Sequence, residues 1–225
     1  MGTSVSGVGV LDKALSVLDA LEVRPRSLAE LVEVTGISRA TAHRLASALE
    51  VHGLVRRDEE GRFALGARLV AMGRSAAAGL PLASAAADAL EELRDETGES
   101  VQLYVREGDR RVCVAALESP HGLRTIVPLG ARLPLGVGSA GRLLEPGAEL
   151  PPAGRQPGWI ASVGEREAGV ASVSAPVRGT DGEVVAAVSV SGPIERTTRQ
   201  PGRRYGAAVL AAARRVERDA GLRPE

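Results

Sequence analysis

Two pairs of serines stand at alternate positions, Ser172 with Ser174 and Ser189 with Ser191, in stretches otherwise built from Val and Ala. Residues two apart on a strand share a face, so each pair sets two hydroxyls on one side of a sheet. The turn-forming run Arg178-Gly179-Thr180-Asp181-Gly182 between them makes the two stretches expected hairpin partners. Hydroxyls among apolar neighbours cost free energy unless they bond something. They either line a polar pocket or serve as small fillers that bond adjacent backbone, and the residues alone leave these readings level. Gly138-Ser139-Ala140-Gly141 opens a short predicted helix, and free amides at a helix start favour a carboxylate.

A second group reads at helical spacing. Arg39, His43, Arg44 and Ser47, with Thr41 near the edge, lie opposite the apolar stripe Ala42, Leu45, Ala46 and Leu49. One side can seat on a domain while the other carries short polar and basic groups into a DNA groove. Arginine bonds guanine edges in two places or neutralises phosphate. Alone, Arg39 and Arg44 would pass for ordinary solvated charges. The tight turn Thr35-Gly36-Ile37, the N-cap Ser38 and the Gly53 stop move the reading to a recognition helix. Arg56, Arg57 and Arg62 follow on two short strands around Asp58-Glu59-Glu60-Gly61, where a wing tracks the neighbouring backbone.

Catalysis has little to build on. Cys113 sits in the apolar run Val112-Cys113-Val114 and His121 follows Pro120 in a turn. A buried, inert thiol is the common state of such a cysteine. No nucleophile elbow, phosphate loop or paired-histidine spacing is found, and His43 and His52 do not make a metal site. Neither metal nor cofactor is expected.

These groups need elements to position them. A helix over residues 10–22 with Leu11, Ala14, Leu15, Leu18 and Leu21 inward precedes the capping box Ser27-Leu28-Ala29-Glu30. Three helices followed by a hairpin is the order of a winged helix-turn-helix, placed at residues 1–66. A helical linker follows at 67–97, with one helix near 66–79 and another at 82–97. Residues 98–225 form an α/β effector-binding domain, with strands expected at 101–106, 111–117, 123–128, 169–177 and 183–192 and a closing amphipathic helix at 202–220. Helices flanking an antiparallel sheet make the fold α+β.

The 225 residues hold 28 basic and 28 acidic side chains, so DNA affinity must come from a local patch and be salt-sensitive. Four aromatics leave no stacking platform for single-stranded bases. One cysteine excludes an intrachain disulfide. No stretch reaches the length of a membrane span and no signal pattern opens the chain, so a cytoplasmic protein is expected.

Three runs, Thr35-Gly36-Ile37-Ser38-Arg39-Ala40-Thr41-Ala42-His43-Arg44-Leu45, Leu49-Glu50-Val51-His52-Gly53-Leu54-Val55 and Gly61-Arg62-Phe63-Ala64-Leu65-Gly66, resemble the IclR family of bacterial regulators. The likeness continues through Pro134-Leu135, Gly141-Arg142, and residues 165–176 and 184–193. Residues 7–14, 164–167 and 189–196 are further similar to the NdgR branch of actinomycetes, tied to amino-acid metabolism. The resemblance implies operator binding by Ser38, Arg39, Thr41, His43, Arg44 and Ser47 with Arg56, Arg57 and Arg62 of the wing. It implies an effector held by Ser139, Ala140, Ser162, Ser172, Ser189 and Ser191. Ser162 stands where relatives often carry an aspartate and Ser172 where some carry a cysteine, so the pocket lacks a fixed negative charge and a thiol. A small carboxylate, an amino acid or 2-keto acid, fits this better than an aromatic acid. Residues 145–157 are shorter and richer in Pro and Gly than is usual in the family, which bears on the pocket lid and on oligomer contacts. The implied partners are double-stranded operator DNA, the effector, and a second copy in a homodimer, or further copies in a tetramer. A winged-helix protein-interaction module without specific DNA binding is the alternative.

Overall fold

A computed structural model of the chain describes residues 6–148 and 158–222. The chain divides into two units near residue 76. In the first, α1 (Gly9–Val23), α2 (Leu28–Thr35) and α3 (Arg39–Val51) pack around Val17, Leu31, Ala42, Ala46 and Phe63, all without exposed surface. Strands β1 (Val55–Arg57) and β2 (Phe63–Leu65) form the hairpin, and α4 (Ala67–Ala78) leads out.

Local chemistry sets these boundaries. The chain turns extended at Arg24, before Pro25. Ser27 then starts α2 with a reciprocal box: its hydroxyl accepts from the Glu30 amide (3.3 Å), and the Glu30 carboxylate accepts from the Ser27 amide (2.8 Å). That amide, with the Arg24 guanidinium 2.7 Å away, holds the Glu30 carboxyl down at about 2. Gly36 closes α2 at φ 66°, a left-handed turn that tilts the chain into α3. Ser38 occupies the N-cap of α3, but its hydroxyl bonds Thr41 Oγ1 (3.0 Å) in place of the expected helix amide. Arg26 and Phe63 exchange backbone bonds of 2.9 and 2.8 Å, which fasten the link before α2 to the wing. The inner face of α1 is Val17, Ala20 and Leu21; Leu11 and Leu15, expected inward, are 48% and 47% exposed.

The second unit opens with α5 (Pro81–Ala85) and α6 (Ala87–Thr97). The single helix expected over 82–97 is divided at Ala86, whose backbone stays right-handed (φ −82°, ψ −13°). Strands β3 (Ser100–Glu107), β4 (Arg110–Leu117) and β5 (Arg132–Pro134) precede α7 (Gly138–Leu143). Then come β6 (Ile160–Val163), β7 (Val170–Arg178), β8 (Val184–Pro193), α8 (Ile194–Thr197) and α9 (Pro201–Asp219). The six strands pair antiparallel in the order β5-β4-β3-β8-β7-β6, giving an α+β domain. One sheet face, with Val101, Leu103, Val173, Val188 and Val190, is covered by α6 and α9 in an aliphatic core. Tyr104, Cys113 and Ala187 point to the other face, against Ala140, Leu143 and Leu144 of the α7 region.

Residues 123–128 do not form the expected strand, and Leu123 and Ile126 face solvent. The outer edge of β4 is already taken: Cys113 donates to the Ala131 carbonyl (3.1 Å) and accepts from the Gly130 amide (2.7 Å), and β5 continues that pairing. With that stretch of β4 already paired, the apolar alternation at 123–128 forms no ladder with it. The shortened segment 145–157 falls outside the described residues from 149 onward.

Candidate functional site

Helix α3 exposes Arg39, His43 and Arg44 and half-buries Thr41 and Ser47, with Ala42, Ala46 and Leu49 buried beneath. Ser38 is exposed at its start. Among the described residues, Arg39, His43 and Arg44 make no side-chain hydrogen bond or ion pair. The wing differs. Arg57 lies 3.5 Å over the Phe63 ring, donates to the Gly61 carbonyl (2.8 Å) and stands 3.6 Å from Glu50. Arg62 is held by Asp58 (2.8 Å) and Glu60 (2.9 Å), and the Asp58 bond raises its pKa further. Asp58 also accepts from the Glu60 and Arg62 amides, so Arg62 braces the wing turn. Arg56 is exposed and bonds the Arg57 carbonyl (3.4 Å), with no carboxylate partner among the described residues. The cations free of neutralisation on this surface are therefore Arg39, Arg44 and Arg56.

The second site lies on the polar sheet face under the start of α7. Register sets it out: Ser162 stands opposite Ser172 and Ser172 opposite Ser191, while Ser174 stands opposite Ser189 and Ser189 opposite Gln102. The hydroxyls bond one another. Ser139 Oγ is 2.7 Å from both Ser172 Oγ and Ser174 Oγ, Ser162 to Ser172 is 2.9 Å, and Ser174 donates to Ser189 at 2.9 Å. Ser191 donates to Gln102 Oε1 (3.1 Å). Ser139, Ala140, Ser162, Ser172, Ser189 and Ser191 all line one cavity of about 30 Å³, room for about one water.

Sequence reasoning missed several lining groups: Gln102, Tyr104, Arg111, Arg166 and Glu167. Arg111 is the largest omission. It is 3% exposed, and its Nη1 donates to the carbonyls of Pro134 (2.9 Å) and Val137 (2.6 Å). Its Nε is buried without a partner, and burial lowers its pKa. Burial beside it raises the Tyr104 pKa. A Cβ at Gly141 would overlap the Arg111 guanidinium, so glycine there makes room for it. The signal was parity, since Arg111 is in phase along β4 with buried Cys113.

The helix start is already occupied. Gly138 donates its amide to Glu165 Oε2 (3.0 Å), whose other oxygen meets Arg142 (3.0 Å), and the Ser139 amide donates to Ser162 Oγ (3.2 Å). Cys113 lies buried near this face, its thiol pushed up to about 12 by burial.

A winged helix-turn-helix followed by a six-stranded antiparallel sheet with helices on both faces defines a class of DNA-binding transcriptional regulators. Residues 10–59 match the IclR helix-turn-helix domain, and residues 74–146 and 148–218 match the bacterial transcriptional regulator IclR C-terminal domain. The chain belongs to the IclR family. It is 28% identical over 210 residues to the HTH-type transcriptional regulator KipR of Bacillus subtilis, covering 80% of this chain and 84% of that one. It is 26% identical over 226 residues to the transcriptional repressor IclR of Escherichia coli, covering 84% and 81%. An IclR homolog of Microbacterium hydrocarbonoxydans, solved with 4-hydroxybenzoate, shares the fold at a TM-score of 0.76 and 22% identity, over 95% of this chain and all of that one (100%).

Proposed function

We propose that this IclR-type regulator works as a homodimer on a partly palindromic operator, and that a small carboxylate in the polar cavity changes its DNA affinity. The DNA face is α3, with Arg39 and Arg44 as phosphate or guanine contacts, Ser38, Thr41, His43 and Ser47 around them, and Arg56 on the wing. Arg57 and Arg62, already engaged within the wing, hold its shape. Each unit of a two-fold dimer reads one half-site. The half-exposed Leu11 and Leu15 on α1 supply apolar surface for a partner copy.

The observation that carries the effector reading is convergence: residues of α7, β6, β7 and β8 bring five serine hydroxyls to one small cavity. The Microbacterium homolog supports a carboxylate-bearing ligand. The cavity as it stands holds about one water, so an acid enters only as its walls move apart, and a small non-aromatic acid requires the least of that movement. A ligand shifts DNA affinity only by binding one state of the protein more tightly than another, and the helices of residues 67–97 connect the two units. The similarity to the NdgR branch points to genes of amino-acid metabolism. The protein acts in the cytoplasm as a regulator without catalytic activity.

Fluorescence anisotropy of labelled DNA from upstream of its own gene, against scrambled DNA, tests this with a panel of amino and keto acids. The expected result is preference for the upstream DNA, shifted by one class of acid. Wild-type operator affinity in Arg44→Ala overturns the recognition face. An unchanged effector response in a folded Ser191→Ala overturns the pocket. No binding across genomic DNA fragments favours a protein-interaction module.

A further inference from the structure

Arg111 is the buried arginine among the described residues. A buried guanidinium is costly unless paired and fully hydrogen-bonded, and its two bonds to the Pro134 and Val137 carbonyls both come from Nη1. The edge formed by Nε and Nη2, the one that grips a carboxylate in a two-point fork, carries no bond to any described residue, and Nε is sealed from solvent.

The surrounding charges do not neutralise it. Arg166 and Glu167 line the same cavity and lie 3.5 Å apart as a pair. Glu165 is taken by the Gly138 amide and Arg142. The cavity is thus left with one uncompensated positive charge, fixed in place by two carbonyls and by the missing Cβ of Gly141. The amides at the start of α7, the alternative anchor for an anion, already serve Glu165 and Ser162.

We propose that Arg111 determines effector specificity by holding the ligand's single acidic group through its Nε–Nη2 edge, the cavity of about 30 Å³ widening to bring that edge into reach and to admit the rest of the ligand along Ser162, Ser172 and Ser189. The inference rests on the cavity being the effector site. It selects acids over their isosteric amides and monoacids over diacids, because the cavity has one charge to match.

The test is calorimetric titration of the full chain with acetate, 2-oxobutyrate and 2-hydroxybutyrate, each beside its amide. The wild type is expected to bind at least one acid about tenfold or more tighter than its amide, the range for hydrogen bonds to a charged group. Arg111→Gln is expected to bring acid and amide within about threefold, and Arg111→Lys to keep part of the preference. Ser189→Ala, a control for the cavity itself, is expected to weaken acid and amide alike and leave their ratio intact. Equal wild-type affinity for acid and amide, or acid preference retained in Arg111→Gln, overturns the role of Arg111; if Ser189→Ala still weakens binding, the cavity reading stands without it. Absence of binding by every compound overturns both. The wild-type comparison needs no variant, so it decides even where Arg111→Gln does not fold.

Discussion

The salt dependence of operator binding follows from which arginines already have partners. Each DNA-binding unit presents Arg39, Arg44 and Arg56 without a carboxylate, whereas Arg57 and Arg62 are engaged by Glu50, Asp58 and Glu60. In the proposed dimer the two recognition faces would carry six of these arginines. If each neutralises one phosphate, log K falls with log salt at a slope of about −5, an affinity loss of about 10³ between roughly 50 and 200 mM salt. Arg44→Ala removes two contacts per dimer and makes the slope shallower by about 2. A guanine contact would instead cost about 1–3 kcal/mol per half-site and relax specificity at one base pair. Arg62→Ala is the paired control. Its charge is already met by Asp58 and Glu60, so its loss loosens the wing and leaves the slope nearly unchanged. Anisotropy titrations at four salt concentrations measure all three slopes. Arg62→Ala flattening the slope as much as Arg44→Ala would refute the reasoning, because partnered and free arginines would then release the same counterions.

Four further outcomes follow from the packing. Ser27→Ala removes the hydroxyl half of the capping box and should cost about 1 kcal/mol in urea unfolding. Because the Glu30 carboxyl sits below its unfolded value, its contribution is present above about pH 4.5 and lost as pH falls toward 2; a Glu30→Ala difference that persists undiminished at pH 2 contradicts this. Gly206→Ala places a methyl where the Trp159 indole lies and should destabilise by about 1–3 kcal/mol while shifting the emission of the single tryptophan; an unchanged spectrum and Tm would show α9 packs otherwise. Cys113, fully buried with its thiol raised to about 12, should resist a disulfide reagent at pH 8 until urea unfolds the chain, and rapid labelling of the folded protein would contradict that.

The DNA-binding unit was legible because its punctuation is chemical: Pro25, the Ser27–Glu30 box, Gly36 and Gly53 each stop or start an element by a local rule. The long hairpin β7–β8 was legible for a similar reason, with a turn run between two alternating stretches. Strands β5 and β6 were not, since three or four residues carry too little alternation to register, and their pairing is decided by which sheet edge is free. The inward face of α1 was misjudged at Leu11 and Leu15 because periodicity marks an apolar stripe without saying whether the chain's own core covers it. Arg111 was hidden by company: beside Arg110 after the Gly108-Asp109 turn it passes for a solvated hairpin charge, and only its phase with Cys113 says otherwise.

The serine ladder has a consequence for what the cavity can tell apart. A hydroxyl has one proton to give and lone pairs to receive, and Ser174 gives its proton to Ser189. That one bond orients the whole row: Ser139 must give to Ser174, Ser172 to Ser139 and Ser162 to Ser172. The row therefore has a head and a tail. Its tail, Ser162, receives the Ser139 amide, and its head, Ser189, keeps a proton to offer. A visiting molecule thus meets a donor at one end, which suits the oxygen of a ketone or a carboxylate better than a group with only protons to give.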